Sequence, residues 1–451
     1  MSRSIFQALF VFLFKLRTGN SNDIIANILE LPHRQKVSSI FTGVMQAFER
    51  VVVDGFGPKS LTRQDLLEAT TPVAKRLLNL EEDQVVLILD GTYIRHQKST
   101  NSAYQRRSYS GQKKVPLCKP FTICTTNGLI VDFAGPFSGN QNDATIVKQV
   151  FKDQHLLSLL KPGDIFIVDR GFRDAVDYIT NQGYKVLMPA LKGARKQLPS
   201  EEANYSRRVT KLRWVVEAVH GIISQRYRLL HNCIDNKLLP KVQSLCRIVG
   251  FLQNKYGQRF GAHDELSDKI LDYMESRWSV PNTLGEEVEQ KRWNRRPTSH
   301  QPILATDLTD FPKLTKDELL ILITGPYQFE LAVSYLAETM DADNNISMTF
   351  VKETPTIIGL QIRSRHVNRK TYRIYVDYVA ESDGIEGIRR YWCECPNGNR
   401  TVGCCSHIAS AIYYLSYARY LPSISRPAEM LSDLFLPNDA DTESSDVDSN
   451  E

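Results

Sequence analysis

The stretch Val85-Val86-Leu87-Ile88-Leu89-Asp90-Gly91-Thr92 constrains this chain more than any other. Five apolar residues follow the polar run Glu81–Gln84 and lead straight into a carboxylate and a glycine. A continuous apolar run of that length, bounded by polar and turn residues, predicts a buried strand. A buried strand ending on Asp places one carboxylate at the rim of a sheet. The pattern recurs at Asp164-Ile165-Phe166-Ile167-Val168-Asp169-Arg170-Gly171-Phe172. Two such strands in one sheet set Asp90 and Asp169 side by side, as a site for hard divalent ions requires.

The segments around these strands predict an order. Pro120–Thr125 and Leu129–Phe133 are apolar runs joined by Asn127-Gly128, the strongest short hairpin signal. A helix is expected at about 143–152, then the Asp169 strand, a helix at 174–181, a short strand at 184–188 and a helix at 207–226 that carries Glu217. Three antiparallel strands followed by strands reached through helical crossovers give an α/β fold. That order is the one expected of an RNase H-like catalytic domain with a mixed five-stranded sheet and flanking helices, in which the first and fourth strands would be neighbours. Glu217, on the last helix, can reach the same rim. Two metal ions about 3.5–4 Å apart, held by carboxylates, can neutralise the entering and leaving oxygens of a phosphodiester. Oxygen ligands favour Mg²⁺ or Mn²⁺. Each acid also has a plainer reading. Asp90 and Asp169 can be turn residues, and Glu217 can be a surface charge paired with Arg213 one turn earlier.

With 451 residues the chain exceeds one ordinary domain. Net charge is only +5, so the placement of charge matters more than its total. No acidic residue occurs between Asp90 and Asp132, whereas Arg106, Arg107, Lys113 and Lys114 do, with tyrosines interleaved. This stretch reads as a phosphate-backbone track or, more plainly, a solvated loop. Ahead of the first strand, 4–17, 24–29 and 34–51 read as helices. The sequence of helix, short helix, turn and longer helix fits a helix-turn-helix-like segment with Arg34 and Lys36 at the start of the reading helix. A helical bundle that binds nothing fits equally. The apolar run Ile5–Phe14 is too short to span a bilayer and reads as a core helix.

Leu87–Thr92, Tyr109–Lys114, Gly139–Asp143, Asp169–Phe172 and Arg213–Glu217 together resemble the DDE-superfamily transposases of the insertion-sequence-like and Harbinger-like kind. The resemblance covers about residues 81–257. It implies that Asp90, Asp169 and Glu217 are the catalytic acids and Mg²⁺ or Mn²⁺ ligands, with Asp143 matching a further acid. It also implies double-stranded DNA, both transposon ends and target, as the partner, an oligomer assembled on DNA, and action in the nucleus. Arg213 and Arg226 join the expected DNA contacts. Two positions depart from the family pattern: Thr210 stands where a Tyr is common, and Ser224 where a Lys is usual.

Near the far end, Cys393-Glu394-Cys395 and Cys405-Ser406-His407 bracket a short polar loop. Three thiolates and one imidazole at this spacing form a closed tetrahedral zinc set, with Cys404 as a bystander. The plainer reading is a group of free thiols. The pattern resembles a SWIM-type zinc finger. The expected organisation is a helical segment over 1–80, the DDE endonuclease domain over 81–257 and a helical connector over 258–340. A small zinc-binding α+β module over 341–422 and an acidic, disordered tail over 423–451 complete it. The expected function is cutting and joining of DNA by two-metal-ion catalysis. The alternative is a domesticated, catalytically weak or inactive transposase serving as a nuclear DNA-binding protein. A nuclease acting on RNA through the same fold is a further reading.

Overall fold

The computed structural model describes residues 4–261, 264–295, 300–339, 348–364 and 370–424. The acidic tail anticipated at 423–451 lies almost wholly outside them. Two compact units emerge. The first holds Met1–Leu191 and Tyr205–Asp264; the second holds Lys192–Asn204 and the chain from Glu265 onward.

The first unit is built on a mixed sheet. Its strands are β1 (Val86–Gly91), β2 (Ile94–Arg95), β3 (Tyr109–Ser110), β4 (Val115–Thr125), β5 (Ile130–Ser138), β6 (Ile165–Ile167) and β7 (Lys185–Leu187). The five longer ones run β5-β4-β1-β6-β7, and the two-residue strands β2 and β3 both pair with β4. The sheet thus has seven strands rather than the five expected. Pieces of two residues carry no hydropathy period and leave no trace in the sequence. Strand β1 forms because Val85 to Leu89 are fully buried. Strands β4 and β5 are closed by the Asn127-Gly128 turn, where Gly128 has φ 82°. Asn127 Oδ1 there accepts from the backbone N–H of Leu129 at 2.9 Å.

The first and fourth long strands are neighbours, as the element order required. β1 and β6 run parallel with Val86 opposite Ile165, Leu87 opposite Phe166 and Ile88 opposite Ile167. Asp90 and Asp169 each lie two residues past the last of these pairs, so the parallel register delivers both to the same rim.

The N-terminal helices Ile5–Thr18, Asn22–Ile28 and Arg34–Gly55 belong to this unit. Phe12, Leu16, Phe41, Met45 and Phe56 share one core with Val219, Ile223, Ile248 and Val249. The first helix is only half a core helix, since Ile5, Phe6 and Phe10 are 84%, 83% and 55% exposed.

The second unit carries an antiparallel sheet in the order β12-β11-β10-β9-β8. Its strands are β8 (His300–Ile303), β9 (Met348–Val351), β10 (Thr354–Arg363), β11 (Thr371–Tyr378) and β12 (Ile388–Cys393). Against it pack Ala305, Leu308, Phe311, Leu319, Leu322 and Leu336, together with the buried helix Ser406–Ser416. Much of the stretch expected to be a connector therefore supplies core. Pro302, Pro312 and Pro326 interrupt its helical spacing and hide it from a periodicity reading. Within that stretch, 289–301 is charged and holds a proline, as a linker would, but it contains Trp293, which is 2% exposed, and the start of β8; residues 296–299 fall outside the described ones. No single helix among the described residues is long and apolar enough to cross a bilayer.

Candidate active site and metal centre

Four carboxylates converge on the rim where β1 and β6 end. Asp90 closes β1. Asp169 follows β6 and caps the short turn of helix Arg170–Ala175, its Oδ1 accepting from Gly171 N–H at 2.7 Å. Asp143 opens the helix Asp143–Val150. A side chain added at Gly171 would come within 2.9 Å of Asp169 Oδ1 and 3.2 Å of Asp143 Oδ2, and one at Gly91 within 3.6 Å of Asp143 Oδ1. Glycine at both places lets the three acids draw together. Glu217 reaches the group from the helix Ser200–Arg226.

The cations around them are fixed by the same elements. Arg213, one turn before Glu217, donates from Nη2 to Glu217 Oε1 and sets Nη1 4.0 Å from Asp90 Oδ2. The expected i,i+4 pairing of Arg213 with Glu217 is therefore present, but it spans two of the acids. Lys119, buried on β4, stands 3.7 Å from Asp143 Oδ1 and donates to the Gln141 carbonyl at 2.7 Å. In the sequence Lys119 reads only as one more charge of the basic stretch. The missed signal is a lysine inside an otherwise apolar strand, which needs a partner to be buried there. His220 Nε2 lies 2.8 Å from Thr122 Oγ1, and Nδ1 lies 3.9 Å from Asp90 Oδ2. Thr122 is the residue opposite Asp90 on β4.

Burial pushes the Asp90 carboxyl up to about 7; Arg213 pulls it back, while Asp169 and Glu217 push it further. Burial also raises Asp143, with Lys119 opposing and Asp169 adding to the rise. Burial and then Arg213 hold the His220 imidazole down at about 4, so it is neutral near pH 7. The rim is crowded with negative charge that Arg213 and Lys119 only partly relieve. Its donors are oxygens, which suits a hard divalent cation. Asp90, Asp169 and Asp143, with Glu217 beside them, offer such oxygens, but no three of these acids bring ligand atoms within 4.8 Å of one another as the Cys/His group of the second unit does.

Arg106, Arg107, Lys113 and Lys114 all face solvent in this unit. Lys113 Nζ sits 5.2 Å from the centre of the Tyr93 ring. Arg34 and Lys36 are exposed at the first turn of the helix Arg34–Gly55. Arg226 is exposed near the end of the Glu217 helix.

In the second unit Cys393, Cys395, Cys405 and His407 are all buried, with their ligand atoms within 4.8 Å of one another. His407 Nδ1 is 3.8 Å from Cys393 Sγ. Zn–S bonds of about 2.3 Å in a tetrahedron put ligands roughly 3.8 Å apart, so the donor set and its spacing fit zinc. Burial and the neighbouring thiols raise the Cys393 thiol; at Cys395 the hydrogen bond with Cys393 pulls down, but Cys405 and burial outweigh it and the thiol is raised. Cys405 is held low: burial opposes, but hydrogen bonds from Cys393, Cys395 and His407 win. Unaided, the cluster favours one thiolate; a dication is what lets all three ionise. The turn is tight enough that a side chain at Gly398 would sit 2.0 Å from the Cys393 carbonyl oxygen. Cys404 is fully buried in the core beside the cluster, outside the ligand set.

Residues 89–254 match the family described as DDE superfamily endonuclease. The four rim acids fall inside that stretch, and the zinc-type cluster falls outside it. Among solved structures, the crystal structure of the Mos1 strand transfer complex is similar at 13% identity. That similarity covers 55% of this chain and 80% of the other, with a TM-score of 0.17. No curated protein matches.

Proposed function

We propose that the first unit is a metal-dependent DNA endonuclease and strand-transferase of the transposase type, with Asp90, Asp169 and Glu217 as its catalytic acids. The observation that carries this reading is the parallel pairing of β1 with β6, which brings Asp90 and Asp169 to one rim within a stretch matching the DDE endonuclease family. Divalent ions bound there would supply charge neutralisation for the entering and leaving oxygens of the phosphodiester. The chain's own residues orient the site. Gly171 N–H fixes the Asp169 carboxylate, Lys119 steadies Asp143, and Thr122 holds the neutral His220 against Asp90. Arg213 balances Asp90 and Glu217, and it is placed to meet a DNA phosphate when those acids turn to the metal. Incubation with Mg²⁺ or Mn²⁺ and labelled DNA carrying the element's own ends tests the reading. Metal-dependent nicks at the ends support it, and intact DNA with both metals rejects it in favour of the second reading. That second reading, a transposase-derived DNA-binding protein without turnover, draws on Arg213, whose guanidinium competes with a cation for two of the acids.

Two further outcomes follow from the same geometry. Asp90 titrates at about 7, and a proton on it competes with the metal. Apparent Mn²⁺ affinity should therefore rise about tenfold per pH unit up to pH 7 and level off above it. Calorimetric titration at pH 5.5, 6.5 and 7.5 checks this, and a flat profile would take Asp90 out of the ligand set. Charge reversal of Arg106, Arg107, Lys113 and Lys114 should weaken binding to every DNA sequence alike. It should also flatten the dependence of log affinity on log salt by roughly one unit for each phosphate no longer engaged. An unchanged slope would mean that these side chains only solvate the surface.

A further inference from the structure

The second unit contains a cleft of about 910 Å³ whose walls are strongly one-signed. Lys192, Lys196, Arg292, Arg295 and Lys370 line it, and none of the five has a carboxylate partner among the described residues. Two further arginines are already balanced, Arg195 by Glu202 at 2.6 Å and Arg373 by Glu394 at 3.8 Å. Only Glu289 then remains to oppose five cations.

The zinc-type cluster builds one wall. Gln197, on the loop that carries Lys192 and Lys196, donates from Nε2 to the carbonyls of Cys393 at 2.5 Å and Cys395 at 2.8 Å. Leu198 N–H donates to the Pro396 carbonyl at 3.0 Å. On the other wall the Tyr372 ring packs 5.0 Å from the His407 ring and lies under Lys370 Nζ at 5.1 Å. The cations are thus mounted on a scaffold pinned by the metal ligands.

We infer that this cleft binds the phosphate backbone of double-stranded DNA, as a binding surface made of residues other than those of the acid rim. The choice of DNA as ligand rests on the function proposed above. A single strand fits less well. Single-strand grooves present exposed aromatic faces for bases to stack on. The aromatic residues lining this cleft, Tyr372 and Trp392, are 5% and 3% exposed. What remains for a ligand is charge, which reads backbone and no sequence.

The test uses the full chain carrying Asp169→Asn, so that cutting does not disturb the measurement. Binding of a labelled duplex of arbitrary sequence is followed across salt concentrations, with and without Lys196→Gln, Arg292→Gln and Arg295→Gln together. The triple variant should keep one zinc per chain and its melting temperature, lower the salt slope by roughly three units and weaken binding about 100-fold or more near 0.1 M salt. If the triple variant does not fold, each single substitution should lower the slope by about one unit. An unchanged slope overturns the inference, and so does tighter binding of duplex RNA with the same dependence on these residues. The two readings fail separately. A lowered slope in a protein that never cuts DNA leaves the cleft standing and removes the nuclease. An unchanged slope in a protein that cuts DNA does the reverse.

Discussion

Cys405→Ser is expected to leave the protein without its zinc and to unfasten the second unit, whereas Cys404→Ser keeps one zinc per chain. Structural zinc contributes on the order of 10–16 kcal/mol of binding free energy in small domains, comparable to a whole domain's usual net stability. The loop between Cys395 and Cys404 cannot replace it, because it is polar and held by scattered hydrogen bonds to Leu198, Asn204, Arg277, Val280 and Tyr391. Without metal, three thiols and an imidazole are left buried in a core that includes Ile408, Ile412 and Leu415. The unit's melting transition should drop by many degrees or vanish, while a transition belonging to the β1–β7 sheet persists. Cys404→Ser still puts a hydroxyl into a fully buried position and should cost about 1–3 kcal/mol. Stability alone therefore does not separate the two variants; elemental analysis does. Zinc retained by Cys405→Ser, or lost by Cys404→Ser, would overturn the ligand assignment.

Asp90→Asn and Asp169→Asn should each lower metal-dependent DNA cleavage by about 10³-fold or more, corresponding to roughly 4 kcal/mol of lost charge stabilisation. Asparagine is the informative substitution at 169. Its Oδ1 can still accept from Gly171 N–H, so the turn stays capped while the charge goes. Asp169→Ala would add about 1 kcal/mol of lost capping and blur the result. DNA affinity should be unchanged or slightly higher, since one negative charge has left the rim. Cleavage retained in Asp169→Asn would move its role to Asp143, whose carboxylate shares the space above Gly171.

The parts of this arrangement that the sequence discloses are those set by local pattern. Buried runs ending on Asp90 and Asp169, the Asn127-Gly128 turn and the spacing of Cys393, Cys395, Cys405 and His407 each depend on a few consecutive residues. Placement that depends on distant partners is not disclosed. The approach of Asp143 to Asp169 is set by how one helix packs on the sheet. The setting of Lys119 against Asp143 needs two elements more than twenty residues apart. That the helical stretch 265–339 supplies core escapes, because turns and prolines break its period before an apolar face can be read. Residues 192–204 are the extreme case. Their partners in the second unit, Cys393, Cys395 and Thr401, lie nearly two hundred residues along the chain.

Those thirteen residues leave the first unit after Leu191, belong to the second, and return at Tyr205. The helix Ser200–Arg226 therefore begins with Asn204 bonded to Thr401 and Val402 and ends bearing Glu217. The chain passes between the units three times, at 191–192, 204–205 and 264–265, so no single break separates them. A truncation near residue 264, the obvious way to isolate the acid-bearing half, would strip the start of the Glu217 helix of Asn282, bonded to Ser200, and of Trp278, Thr401 and Val402, bonded to Asn204. Proteolytic dissection should accordingly yield fragments that stay associated until denatured. Recombination that discards the C-terminal half should disturb the start of the helix that carries Glu217 as well, giving the half with the Cys393–His407 cluster a reason to be retained that is independent of what it binds.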